Sequence, residues 1–336
     1  MEIMKTVNKK HPLHGKIMAM LWLVLILAVT GCGRNTSENE AERTGTFFNT
    51  AISLKIYDEK AEALMDACFD MAEEMENIFS AQKEGSELYE LNHRTEQTVT
   101  VSDDLAACLS AGLAFGELSE GAFDITILPV RNLWDFESGE GKVPDEKELE
   151  KALEAVDYTK VHIDGNVVSF DSEETMIDLG GIAKGYISGK MKAYLADEGC
   201  QSALINLGGN VSTLGTKPDG SQWTVGVQEP FSDRGELLET VEAENDECVI
   251  SSGIYERYFE EDGVLYHHIL DARTGYPVET QLNQVTLVGM EDMALDALST
   301  ICILEGREKA EEILKAYDPE IKALFTDTKN QIEWMD

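Results

Sequence analysis

The chain has 336 residues, 43% of them hydrophobic, so it carries enough apolar mass for a large core and is not an acidic disordered chain. Its 64 acidic and 27 basic residues give a formal charge of −37, a surface that repels nucleic acid and anionic lipid and excludes a nucleic-acid-binding role.

Lys5, Lys9, Lys10 and Lys16 form a positive N-terminal region, and residues 18–30 form an apolar run too short for a transmembrane helix. The run ends in Val29-Thr30-Gly31-Cys32, the lipobox pattern of a bacterial lipoprotein. An ordinary signal peptide with a chance cysteine is the alternative. The lipobox predicts a signal peptide over 1–31 and an extracytoplasmic protein held at a membrane face through a lipid on Cys32. Residues 33–43 are polar and aperiodic, and 32–45 read as a flexible tether ahead of a folded part over 46–336. Cys68, Cys108, Cys200, Cys248 and Cys302 are odd in number, widely spaced and free of any C-x-x-C pattern, which predicts five buried, reduced thiols.

Alternation predicts a strand over 47–57, and Ala63, Leu64, Ala67, Cys68, Met71 and Met75 predict a helix over 59–79. Ser86 caps a short helix to Leu91, and Ser102 caps another to Leu118. A further helix is expected over 145–155. Short strands are expected over 161–163, 167–170 and 175–177, the first two joined by a turn at Asp164-Gly165. A helix from Ile182 is followed by strands over 203–207, 223–228 and 249–251. Helices over 293–304 and 307–317 and strands over 323–325 and 331–334 close the chain. No βαβ repeat and no Pro/Gly/Ser-rich linker is visible. The expected architecture is a single α+β (mixed α/β) domain, with room for two lobes.

The stretch Ile177-Asp178-Leu179-Gly180-Gly181-Ile182-Ala183-Lys184 turns an apolar segment into a helix N-terminus. Such a turn aims N–H groups and the positive end of a helix dipole at one spot, suited to a phosphate, and Lys184 adds a cation. Asp178 points instead to a metal or a sugar hydroxyl, and Gly-Gly at this position also serves plain packing. In residues 293–300, Asp296 and Thr300 lie at i and i+4 on one helix face, a hard-oxygen pair suited to Mg2+ rather than zinc. A Thr bonded to its i−4 carbonyl beside a surface Asp is the structural alternative.

Further along are Gly121-Ala122-Phe123-Asp124-Ile125-Thr126 running to Pro129-Val130-Arg131-Asn132-Leu133-Trp134, Ile205-Asn206-Leu207-Gly208-Gly209-Asn210, Ser251-Ser252-Gly253-Ile254-Tyr255-Glu256-Arg257 and His267-His268-Ile269-Leu270-Asp271-Ala272-Arg273-Thr274-Gly275-Tyr276-Pro277. With the two segments above, in this order, they resemble the ApbE family of FAD:protein FMN transferases from about Phe47 to the C-terminus. The resemblance implies a T-fold-like architecture. It also implies Mg2+-dependent splitting of the FAD pyrophosphate, with FMN passed to a Thr or Ser hydroxyl of a partner protein and AMP released. The partners it implies are FMN-acceptor subunits of RNF-type or sodium-pumping NADH:quinone reductase complexes, or other exported FMN-binding domains. No acceptor string of the type D-G-x-[ST]-[GAS]-[ST] occurs here, so the chain is expected to act in trans. An FAD pyrophosphatase and a non-enzymatic flavin-binding lipoprotein are the other readings.

Carried over, the metal ligands are Asp296 and Thr300 with carbonyls of Ser299 and Gly181. The FAD contacts are Phe48, Gln82, Ala122, Phe123, Asp124, Asp178, Lys184 and the backbone at Leu270. The chain departs from the family pattern at Gln82, where many relatives carry an aromatic, and at Ala272, where a proline is common. For the base that takes the acceptor proton the candidates are His268 and Asp271, since His titrates near neutrality. A hydrogen-bonded structural role for His268 is the alternative.

Overall fold

The computed structural model describes residues 39–136 and 141–335. The expected signal peptide, Cys32 and the first half of the expected tether, to residue 38, lie outside the described residues. Order begins earlier than residue 46, because β1 (Glu40–Phe47) is a full strand paired residue by residue with β2 (Thr50–Tyr57). Arg43 reaches Asp66 at 2.7 Å and Lys55 reaches Glu40 at 3.0 Å. The polar composition of 40–45 marks an exposed sheet edge, where charges are at home.

α1 (Ala61–Phe79) buries Leu64, Met65, Cys68, Ala72, Met75 and Phe79, one apolar stripe at helical spacing. α2 (Glu87–Asn92) starts at Ser86, whose hydroxyl accepts from Tyr89 N at 3.3 Å. β3 (Thr98–Thr100) leads to α3 (Asp103–Leu118), where Ser102 accepts from Leu105 N at 3.2 Å. The short α4 (Leu128–Arg131), α5 (Glu146–Leu153), a 3-10 turn (Tyr158–Lys160), β4 (Val161–Asp164) and β5 (Val167–Phe170) follow. Then come α6 (Ala183–Asp197), β6 (Ser202–Leu207), β7 (Asn210–Gly215), β8 (Trp223–Gln228), β9 (Leu237–Ala243) and β10 (Cys248–Gly253). β11 (Tyr258–Glu261), β12 (Val264–His267), β13 (Leu282–Gly289), α7 (Asp292–Tyr317), β14 (Lys322–Asp327) and β15 (Ile332–Trp334) complete the chain.

Eight strands form one antiparallel sheet in the order β1-β2-β6-β7-β10-β13-β14-β15. α1, α6 and α7 pack on one face; the β8–β9 ribbon covers the other through Val225, Val227 and Val241 against Val211, Val249 and Val288. A smaller sheet, β3-β5-β4, lies against α3. Among the described residues no helix is long and apolar enough to cross a membrane. The five cysteines are buried and free, and desolvation pushes every thiol up, Cys68 to about 12.

Three departures from the expected elements have clear causes. The expected strand over 47–57 is present as β2 over 50–57, but its first residues form a turn at Phe48-Asn49 back to β1, both left-handed with φ of 52° and 56°. Asn tolerates that conformation; Phe adopts it against its steric preference, held by its N–H on Glu76 Oε1 at 2.8 Å. The expected strand over 175–177 makes only an isolated bridge from Met176 to Ile127, because the Asn92 amide takes both backbone groups of Ile177, at 2.6 and 2.8 Å. β13 gives no alternation signal because all eight of its residues are buried. The predicted break between the last two helices is a kink at Gly306, φ 73°.

Candidate functional site

A cavity of about 550 Å3 opens where the β1–β2 turn, the end of α1, the loop over 122–127, the Asp178–Gly181 turn, the start of α6, the end of β10 and the middle of α7 converge. It is lined by Phe48, Gln82, Ala122, Phe123, Asp124, Asp178, Gly181, Lys184, His268, Leu270 and Thr300. Residues up to 256 positions apart in the chain, Phe48 and Leu304, thus meet around a volume in the range of small-molecule sites. Asp296 and Ser299 lie directly beneath, 2% and 0% exposed.

The floor is made by two helices in unusually close contact. Gly185 on α6 donates its N–H to Asp296 Oδ2 at 2.9 Å, and Lys184 Nζ reaches Asp296 Oδ1 at 3.2 Å and the Gly180 carbonyl at 3.4 Å. Ser252, from β10, bonds Ser299 Oγ at 2.7 Å and Thr300 Oγ1 at 3.2 Å. The floor thus carries the Asp296 carboxylate and the Gly180 carbonyl, joined through Lys184, and a separate cluster of three hydroxyls on Ser252, Ser299 and Thr300. Ser299 Oγ also donates to the Asp296 carbonyl at 2.9 Å, which fixes the helix turn.

In the walls the carboxylates are held in place. Asp178 accepts from Arg131 at 2.8 Å and from Gly180 N at 2.7 Å, so it shapes the Gly-Gly turn and aims Arg131 along the cavity. Asp124 accepts from Thr126 N and Oγ1, both at 2.7 Å, and from Tyr158 N at 2.9 Å. Burial pushes its carboxyl up and these donors pull it back. Asp124 is a loop organiser whose neighbours Ala122 and Phe123 present the apolar surface. Phe123 packs so closely that a Cβ on Gly181 would lie 2.8 Å from its ring. Gln82 sits exposed on the rim, its N–H 3.4 Å from Ser80 Oγ.

His268 lines the cavity and bonds the Arg257 carbonyl through Nδ1 at 3.3 Å. A carbonyl only accepts, so Nδ1 carries the proton and Nε2 is the unprotonated nitrogen. Burial, then the charge of Arg257, holds this imidazole down at about 3. Asp271 does not line the cavity. Its carboxylate accepts from Arg273 N and Nε at 2.9 Å and from the far Arg273 nitrogen at 2.8 Å, and its carbonyl accepts from Gly275 N at 2.7 Å. Asp271 thus orders the 271–277 turn, with its carboxylate held by Arg273 and apart from the groups that line the cavity. The site also contains residues with no role assigned from sequence: Arg131, Arg257, Ser252, Glu76 and Glu256. Arg131 and Arg257 lie within the motifs that carried the resemblance, and their charge sign inside so acidic a chain was the available signal. Burial pushes the Glu256 carboxyl up, opposed by Arg234, Lys184 and Arg257.

Among the described residues no three of His, Cys, Asp and Glu gather as a metal cluster. Any metal would rest on Asp296, hydroxyls and backbone carbonyls. That donor set is all hard oxygen, and it already grips the Lys184 ammonium, so it fits a hard cation such as Mg2+.

Known proteins are similar to this chain over most of its length. An FAD:protein FMN transferase of Treponema pallidum is 32% identical over 324 residues, covering 90% of this chain and 89% of its own. One from Klebsiella pneumoniae is 34% identical, covering 86% and 89%. The crystal structure of the ApbE protein of Thermotoga maritima superposes with a TM-score of 0.79 at 30% identity, over 88% of this chain and 96% of that one. The flavin transferase ApbE of Vibrio cholerae gives 0.77 at 26% identity, with the same coverage. The ApbE family model matches residues 48–325, which begin at the hairpin turn and end in β14, and the chain belongs to the ApbE family.

Proposed function

We propose that this chain is an FAD:protein FMN transferase. FAD binds in the cavity, its pyrophosphate is split with Mg2+, and FMN passes to a Thr or Ser hydroxyl of an exported or membrane redox protein as AMP leaves. The observation that carries the reading is the oxygen set of Asp296, Ser299, Thr300 and Ser252 beneath a cavity lined by Arg131, Lys184 and Arg257. Asp296 and Thr300, with carbonyls of Gly181 and Ser299, would hold the metal, which supplies charge stabilisation at the phosphates when bound.

The chain's own groups do the rest. Lys184, Arg131 and Arg257 offset negative charge on the pyrophosphate and on the departing AMP. Phe123, Leu270 and Phe48 offer apolar walls to rings. His268 accepts the acceptor hydroxyl's proton at Nε2. The oxygen so exposed forms a bond to the FMN phosphorus, and the bond from that phosphorus to the AMP oxygen breaks. Acceptor subunits of RNF-type or sodium-pumping NADH:quinone reductase complexes are the proposed partners. The lipobox at Cys32 supports placing the enzyme outside the cytoplasm, at a membrane face.

The test is incubation of the protein with FAD and Mg2+, with and without an RNF-type acceptor domain. AMP together with a fluorescent, FMN-bearing acceptor is the expected result. AMP with free FMN and an unlabelled acceptor favours FAD hydrolysis, and no AMP in either arm leaves a flavin-binding protein. Asp296→Ala is expected to abolish metal-dependent turnover.

A further inference from the structure

Lys184 and Lys192 lie on α6, and each pairs with an aspartate of α7, Asp296 and Asp292. The two pairs differ in their surroundings. Lys192, 15% exposed, holds Asp292 at 2.5 Å and also donates to the Asp246 carbonyl at 3.0 Å. Asp292 accepts in addition from Ser188 at 3.3 Å and from Ser212. That pair is the less exposed and more fully bonded of the two, and it is absent from the lining of the candidate site. Lys184 is 31% exposed, lines the cavity, and holds its two oxygens at 3.2 and 3.4 Å, the long end of hydrogen bonding. The second Asp296 oxygen is taken by Gly185 N–H. The ammonium therefore stands between a carboxylate and a Gly-Gly carbonyl, the oxygens a divalent cation needs.

We propose that Lys184 is the resident cation of this site and an exchange group that couples metal binding to nucleotide binding. Lys184 leaves Asp296 and Gly180 when a divalent cation takes the Asp296 carboxylate, and nucleotide phosphate receives the released ammonium. Both ligands favour the displaced position of one side chain, so each raises the other's affinity by the same factor. A metal arriving alone must drive Lys184 into water with no new partner, which weakens metal binding until nucleotide is present. The inference rests on the metal reading proposed above and reaches past it to the order in which the site fills.

Binding of Mn2+, read from the electron paramagnetic resonance of the free ion, tests this without turnover. With no nucleotide, Lys184→Met is expected to bind Mn2+ roughly tenfold more tightly than the wild type, and Lys192→Met not to gain affinity. The factor by which ADP raises Mn2+ affinity is expected to fall about tenfold in Lys184→Met relative to the wild type. Equal Mn2+ affinity in wild type and Lys184→Met, or an unchanged ADP factor, overturns the exchange while leaving the metal site standing. No Mn2+ binding by either protein, even with ADP, overturns the metal reading and the exchange with it. Thermal unfolding of both variants checks that each is folded.

Discussion

Gly185 meets Asp296 with no room for a side chain: a Cβ there would lie 2.7 Å from Asp296 Cβ and 2.4 Å from the carbonyl oxygen of Asp292. This contact lets the Gly185 N–H reach the carboxylate. Gly185→Ala must therefore separate α6 from α7 and stretch that hydrogen bond. The expected cost is about 1–3 kcal/mol of stability, as for other overpacked cores, read as a lowered urea midpoint. Turnover at saturating FAD should fall further than stability alone accounts for, because Lys184 moves with the helix.

Arg131 lines the cavity with its guanidinium held by Asp178 at 2.8 Å. Asp178→Asn keeps the side chain's shape but removes the charge that fixes the guanidinium. A rise of about tenfold in the Michaelis constant for FAD is expected, about 1.4 kcal/mol of lost binding, with a smaller change in kcat. Arg131→Met should give the same direction of change. An unaltered Michaelis constant in both would remove this pair from the binding site.

His268 is held neutral down to about pH 3, so its base form is present across the working range. The transfer rate should accordingly show no acid limb centred near pH 6.5, the ordinary imidazole value. His268→Gln should lower transfer by about 10²–10⁴-fold while FAD binding is largely kept. An acid limb near 6.5 that survives in His268→Gln would assign the limb to another group.

His267 is 3% exposed; its Nε2–H donates to the Val278 carbonyl at 3.1 Å and its Nδ1 accepts from Ile269 N at 3.3 Å, so both nitrogens serve the neutral ring. Its value is pushed down to about 4 by burial, below the unfolded value of about 6.5. Between these values the unfolded chain binds the extra proton, so stability falls as pH drops from about 6.5 to about 4. His267→Gln is expected to be less stable at neutral pH yet to lose less on acidification. Urea midpoints of the two proteins at several pH values check the difference in slope.

Much of the site was legible because its chemistry sits in local patterns. Asp296 and Thr300 share a helix face by spacing alone, and the Gly-Gly turn announces itself. Illegible features depend on distant residues. Lys184 and Asp296 are 112 positions apart, Arg131 and Asp178 are 47 apart, and no local rule pairs them. Asp271 shows the opposite case: Arg273, two residues on, captures its carboxylate. The first hairpin was hidden because its turn uses Phe48-Asn49 with no glycine, a left-handed pair tolerated only because Glu76 fixes the backbone from α1.

The β1–β2 hairpin also decides where the chain approaches the fold. Glu40 pairs with Tyr57 at one end of β1, and Phe47 pairs with Thr50 at the other, beside the cavity. At about 3.4 Å per residue the two ends are roughly 24 Å apart. The described chain thus enters the fold at Asn39, at the strand end remote from the Phe48 rim, and a pull on Asn39 loads that end of the hairpin first.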